Sequence, residues 1–174
     1  MEPDLSAAAA LPLHGESVTH LDATLAAAFE YLDDFRKLSA HMEEPSAMMM
    51  GSKMTIETDA AGGRAVGSHV RMAGKVCGIT LALDEVVMER DPPRRKAWQT
   101  IDAKLLVIGP YRLGFELSPQ GEGTGLRVFI DYALPARAPA RWLGHLFAAS
   151  YARWCTGRMA AGAARHFNGG RRPA

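Results

Sequence analysis

The spacing of apolar positions changes character along the chain. From Ala23 to Leu32 it is helical, with Leu25, Phe29 and Leu32 at i, i+4 and i+7, and Asp22 or Thr24 placed to cap the first turn. Gly15–His20 before it has the look of a strand. A second short helix is predicted over Asp34–Met42, with Phe35, Leu38 and Met42 on one side and Pro45 to end it. The period then falls to two. Met54 and Ile56 alternate with Thr55 and Glu57 in Lys53–Asp59, and Val70, Met72 and Val76 with His69, Arg71 and Lys75 in His69–Val76. Ile79, Leu81, Leu83 and Val87 begin a longer strand closed by Asp91-Pro92-Pro93. Lys96–Ile101 is a weaker strand around Trp98. Tyr111, Leu113, Phe115 and Leu117 alternate with Arg112, Gly114, Glu116 and Ser118. After a turn over Pro119–Gly125, Leu126, Val128, Ile130 and Tyr132 alternate with Arg127, Phe129, Asp131 and Ala133. Pro135 and Pro139 end this region, and a helical segment, roughly Ala140 to Phe167, follows.

Consecutive strands joined by short turns make an antiparallel sheet, and a sheet with one apolar face needs a cover. The long helix is the obvious one, which gives an α+β class. Alternation assigns Met54, Val70, Met72, Leu81, Leu83, Tyr111, Phe115, Leu117, Val128, Ile130 and Tyr132 to the inner face, joined by Trp98. His69, Arg71, Lys75, Arg112, Glu116, Arg127 and Asp131 fall outside. Glu85 is the exception among titratable groups, since it continues the Leu81–Leu83 face, unless a bulge turns it out. On a helical wheel Leu143, Phe147, Tyr151 and Trp154 cluster on one side and would close the space under the sheet. That side continues to Arg158 and Arg165.

Composition narrows the classes. The 174 residues are 48% hydrophobic and 22% charged, with a formal net charge of +1, which suits one globular domain and gives no bulk attraction to nucleic acid. Residues 1–12 have the look of a loose tail, 13–168 of a single domain and 169–174 of a flexible basic tail. The acidic N-terminus lacks the basic start and apolar core of a secretory signal, and no stretch is long enough to span a bilayer, so a cytoplasmic location with Cys77 and Cys155 reduced is expected. Fifteen arginines against five lysines, with abundant alanine, suggest a bacterial source. The six histidines show no metal-ligand spacing, so no metal and no cofactor are expected; His41 and Met48–Met50 suit packing or a cavity mouth better than a soft-metal site. Gly121–Gly125 lies between strands, without the helix and lysine of a phosphate loop. Cys155 has no partner histidine in sequence.

Three stretches resemble the SRPBCC superfamily, the helix-grip proteins that include START lipid-binding domains, polyketide cyclases/dehydrases and the birch-pollen-allergen group. Residues 23–35, ending Asp33-Asp34-Phe35, look like that family's first helix and bend. Residues 85–94 resemble its strand-to-strand turn, and 123–128 its last hairpin. The resemblance covers about 15–167. It implies a curved seven-stranded antiparallel sheet wrapped around a long C-terminal helix, with two short helices after the first strand and an apolar cavity between sheet and helix.

The expected function is therefore binding, or binding and transport, of a hydrophobic small molecule such as a lipid, isoprenoid or polyketide. Met54, Met72, Leu83, Trp98, Tyr111, Phe115, Val128, Ile130, Tyr132, Phe147, Tyr151 and Trp154 are the expected contacts. The alternative is a polyketide cyclase/dehydrase-like enzyme in which Glu85, Tyr111 or Tyr132 polarises a carbonyl or moves a proton. A third class, a protein-interaction adaptor, would show a filled core. Residues 1–44 hold nine acids and two basic residues, while 132–174 hold seven arginines and no acid. A seam is expected in which Glu30, Asp33, Asp34, Glu43 and Glu44 meet Arg158 and Arg165 and orient the long helix. The rival use of that charge is peripheral contact with a membrane or anionic partner through Arg165, Arg171 and Arg172.

Overall fold

The computed structural model describes residues 10–38, 54–76 and 79–169. Met42, Glu43, Glu44, His41, Met48–Met50, Cys77, Arg171 and Arg172 lie outside them, as do the side chains of Met54, Val76 and Ile79. Seven strands form one antiparallel sheet: β1 (Leu13–Leu21), β2 (Met54–Thr58), β3 (His69–Val76), β4 (Ile79–Asp91), β5 (Arg95–Lys104), β6 (Tyr111–Gln120) and β7 (Gly123–Tyr132). Their order is β1-β7-β6-β5-β4-β3-β2, so β1 crosses to pair with the last strand while the rest are hairpin neighbours. Helices α1 (Leu25–Asp33) and α2 (Phe35–Leu38) follow β1, and α3 (Ala140–Asn168) follows β7. This is the antiparallel sheet with a covering helix that the alternation predicts, in the helix-grip arrangement that the resemblance implies.

Local chemistry accounts for the element ends. Thr24 accepts from the Ala27 N–H and caps α1. The β6–β7 connection is a two-residue loop, Gly121-Glu122, with Gly121 at φ +60°, which the hairpin geometry requires. The sequence places a longer turn there because of Pro119. That proline sits inside β6, opposite Thr124, beyond the last β5–β6 pair at Arg95–Glu116. It owes no hydrogen bond to β5 and is tolerated.

The inner face is buried as the alternation expects: Val70, Met72, Leu81, Leu83, Trp98, Phe115, Leu117, Val128, Ile130 and Tyr132 are all core residues. Phe129 points outward yet is only 4% exposed, because Arg95 and Arg127 lie over its ring at 5.5 and 5.2 Å. Those arginines belong to an ion-pair ladder across the outer face: Glu16–Arg127–Glu116–Arg95–Glu89–Arg112, with His14 bridging Glu16 and Asp131.

One expectation about the helices is corrected, and a second is corrected in part. The buried face of α3 is made of Gly144, Ala148, Ala152, Cys155, Thr156, Met159, Ala160 and Ala163. Leu143 and Trp154 are half-buried, and Phe147 is 50% exposed. The wheel centred on large apolar residues is rotated because β1 offers the small inward residues Gly15 and Ser17. A Cβ at Gly15 would lie 3.3 Å from the Ala152 Cβ, and Ser17 Oγ is 2.9 Å from Thr156 Oγ1. Close approach selects small residues on both sides. The acidic seam is placed differently at Asp33 and Asp34, while Glu43 and Glu44 lie outside the described residues. Asp33 is buried and takes Lys96 (2.7 Å) and Arg90 (2.9 Å) from the sheet, and Asp34 lies near Lys37 and Arg64. The contact between α1 and the end of α3 is aromatic: Tyr31 stacks on His166 at 4.2 Å and meets Phe167 edge-on.

Candidate functional site

Glu85 stands at the centre of the inner face. In β4 it pairs with Val70 of β3 and Thr100 of β5, and the β4–β5 register shifts between Asp84 and Glu85. The irregularity does not turn it outward; its exposure is 0%. Tyr111, one strand further on, donates its hydroxyl to Glu85 Oε1 at 2.5 Å. Tyr111 is itself held in register by the Thr100 hydroxyl, which accepts from its backbone N–H at 3.1 Å. Glu85 Oε2 and Trp98 Nε1 complete no hydrogen bond of normal geometry, although the indole is near enough to favour the carboxylate.

Burial decides the electrostatics. It pushes the Glu85 carboxyl up to about 7; Tyr111 and Trp98 pull it back and the Asp84 charge adds a little. Tyr111 and Tyr151 are raised because burial and the neighbouring acids disfavour phenolate. Burial likewise pushes the Cys155 thiol up to about 12, so it is no nucleophile here. Glu85 is therefore the group in this interior that changes charge near neutrality.

These groups surround a small, partly open space. Met72, Leu83, Trp98, Tyr111, Leu113 and Ile130 of the sheet, Phe35 and Leu38 of α2, Leu105 after β5, and Tyr151, Cys155 and Met159 of α3 line it with Glu85. Its volume is about 30 Å³, room for about one water molecule. Sites for drug-sized ligands run to roughly 300–1,000 Å³. The apolar cavity expected between sheet and helix is thus small among the described residues. A wider open depression of about 810 Å³ on the outer face passes Arg95, Glu116 and Arg127, whose charges are already tied into the ladder.

Of the residues expected at the site, Met72, Leu83, Trp98, Tyr111, Ile130, Tyr151 and Glu85 are brought together. Phe115, Val128 and Tyr132 are buried in the core beside it, Trp154 is at its flank, and Phe147 faces solvent. Sequence reasoning missed the second inward charge. Lys96 is 0% exposed, two residues before Trp98 on the same face of β5, and donates to the Asp33 backbone carbonyl and carboxylate at 2.9 and 2.7 Å. Its ammonium lies 4.8 Å from the Phe35 ring, and Phe35 meets Trp98 edge-on at 4.8 Å. The period-two spacing to Trp98 was the available signal. No group of three or more potential metal ligands occurs among the described residues, and no described helix is long and apolar enough to cross a membrane.

The family model for polyketide cyclase/dehydrase and lipid transport proteins matches residues 13–166. No curated protein matches the sequence. The fold is similar to that of TTHA0849 from Thermus thermophilus (13% identity, TM-score 0.65, covering 92% of this chain and 100% of that one). It is also similar to Ms6760 from Mycobacterium smegmatis (13%, 0.59, 91% and 93%). A third is the Zhui aromatase/cyclase from Streptomyces sp. R1128 (19%, 0.58, 88% and 94%).

Proposed function

Because the chain belongs to the polyketide cyclase/dehydrase and lipid transport family, we propose that it binds a hydrophobic small molecule, such as a lipid, isoprenoid or polyketide, through a single polar group held at Glu85. The observation that carries this reading is a fully buried carboxyl with one oxygen, Oε2, facing an apolar space without a completed hydrogen bond. A buried polar atom left unmatched is costly, and a ligand hydroxyl would satisfy both ends. It would donate to Oε2 and accept from the Trp98 N–H. Apolar walls from Met72, Leu83, Ile130 and Met159 would take the rest of the molecule.

A second reading rests on the same residue. A carboxyl with a pKa of about 7, hydrogen-bonded to a tyrosine, can both give and take a proton at neutral pH, as a cyclase/dehydrase-like enzyme requires. The two separate on turnover: a binder returns its ligand unchanged.

The binding test compares 2-naphthol with 2-methoxynaphthalene at a pH above the Glu85 pKa, alongside native mass spectrometry for any co-purified compound. The ether cannot donate. The naphthol is expected to bind about tenfold or more tightly, the worth of a hydrogen bond to a charged group. In Glu85→Leu that preference should vanish while the ether still binds. Equal affinities of the unaltered protein for the two probes would remove Glu85 from the reading.

A further inference from the structure

The first half of α3 turns large apolar side chains to solvent. Trp142 is 66% exposed, Leu146 54% and Phe147 50%. Trp142 and Leu146 are one turn apart, and Arg153 continues their line two turns on. Scattered exposed hydrophobics need no explanation, but three within six residues on one helix do. The charge around them is of one sign. Arg137, Arg141, His145 and Arg153 are all exposed, and residues 132–174 contain no Asp or Glu. The adjoining β5–β6 loop, Leu105-Leu106-Val107-Ile108-Gly109-Pro110, carries no charge and packs against α3, its Val107 carbonyl lying close to Gly144.

We infer that this surface is a docking face for an anionic lipid bilayer. Tryptophan, leucine and phenylalanine flanked by arginine suit the headgroup–acyl boundary, where the rings enter and the guanidinium groups meet phosphate. A second copy of the chain fits poorly. A two-fold contact through this face would set Arg137, Arg141 and Arg153 of both copies together with no carboxylate on either helix to neutralise them. The face also lies near the partly open space, since Leu105 and Tyr151 line that space from the same loop and helix. The inference stands on exposure and charge alone, and empty vesicles test it independently of any cavity ligand.

The experiment is co-sedimentation of the full chain with phosphatidylcholine vesicles, pure or containing phosphatidylglycerol, at low and high salt. Binding is expected only to the anionic vesicles, weakening as salt rises. Arg137→Gln/Arg141→Gln/Arg153→Gln should lose about a hundredfold in affinity, at about tenfold or less per arginine. Trp142→Ser/Leu146→Ser should lose a comparable factor with its thermal unfolding unchanged, since both side chains are outside the core. Several results overturn the inference: no binding to anionic vesicles, equal binding to neutral ones, or affinity indifferent to the apolar substitutions. A dimer in sedimentation velocity that Trp142→Ser/Leu146→Ser dissolves would assign the face to a second copy instead.

Discussion

Glu85 and Lys96 show how two inward charges on one sheet face end in different states. Lys96 has a carboxylate at 2.7 Å. Burial favours neutral forms of both partners, yet Asp33 ends below the usual carboxylate range because Arg90 and Lys96 surround it, and Lys96 is lowered by its own burial. The pair stays ionic and pins the end of α1 to β5. Among the described residues Glu85 has no cation against it, only two donors, so burial wins. The consequence is a pH signature. An exposed glutamate titrates near 4.5, the buried one at about 7. Between these values the folded state holds a proton that the unfolded chain has shed, so this group's stabilisation is complete below 4.5 and is lost as pH rises through 7. The size is on the order of 3 kcal/mol. Urea unfolding midpoints measured across that window should fall with pH in the unaltered protein. In Glu85→Gln, which keeps an acceptor for Tyr111, this component of the slope should disappear; an unchanged slope would mean that Glu85 does not titrate in this window.

At the scale of elements, helix α3 is held by small residues rather than by its large ones. Ala152 is 1% exposed and its Cβ lies 3.3 Å from where a side chain at Gly15 would begin. Ala152→Leu should cost about 1–3 kcal/mol by overpacking. Phe147→Ser should change stability by no more than about 0.5 kcal/mol, as exposed positions do. Chemical denaturation of the two variants reads the difference, and a larger loss at Phe147 would restore the wheel centred on Leu143, Phe147, Tyr151 and Trp154. The strands were legible because period-two alternation is strict where one face is buried, and β3 begins and ends where His69–Val76 was expected. Orientation of α3 was not legible. A hydrophobic wheel weighs apolar size, whereas close packing against Gly15 and Ser17 selects for its absence. The partner of Asp33 was missed for a related reason: charge counts along the chain paired α1 with the arginines of α3, whereas the β4–β5 pairing in the folded sheet brings Arg90 and Lys96 to the C-terminal end of α1.

For the whole molecule, the question is how a space of about 30 Å³ admits anything larger than water. The two sides of the sheet differ in what resists movement. Outside, the ladder from Glu16 through Arg127, Glu116, Arg95 and Glu89 to Arg112 links β1, β7, β6, β5 and β4. Each exposed pair contributes little by itself, about 0–1 kcal/mol, but all five strands would have to shift together. Inside, α3 rests on β1 through small residues such as Ala152, the Ser17–Thr156 hydrogen bond and, at its last residue, Asn168, which donates to the His20 carbonyl at 2.8 Å; it carries Tyr151, Cys155 and Met159, about a quarter of the wall. On the proposed binding reading, displacement of α3, tied to β1 by few polar contacts, is the expected opening, and a ligand would wait for it. Binding then follows a minor open state, and apparent affinity is reduced by that state's population. Stopped-flow fluorescence of 2-naphthol binding should show an observed rate that levels off at the opening rate as probe concentration rises. Ala152→Leu, which pushes α3 away from β1, should raise that plateau. A rate that climbs in a straight line over the whole range would mean that the site stands open already and that the closed packing around Glu85 is not the state that receives the ligand.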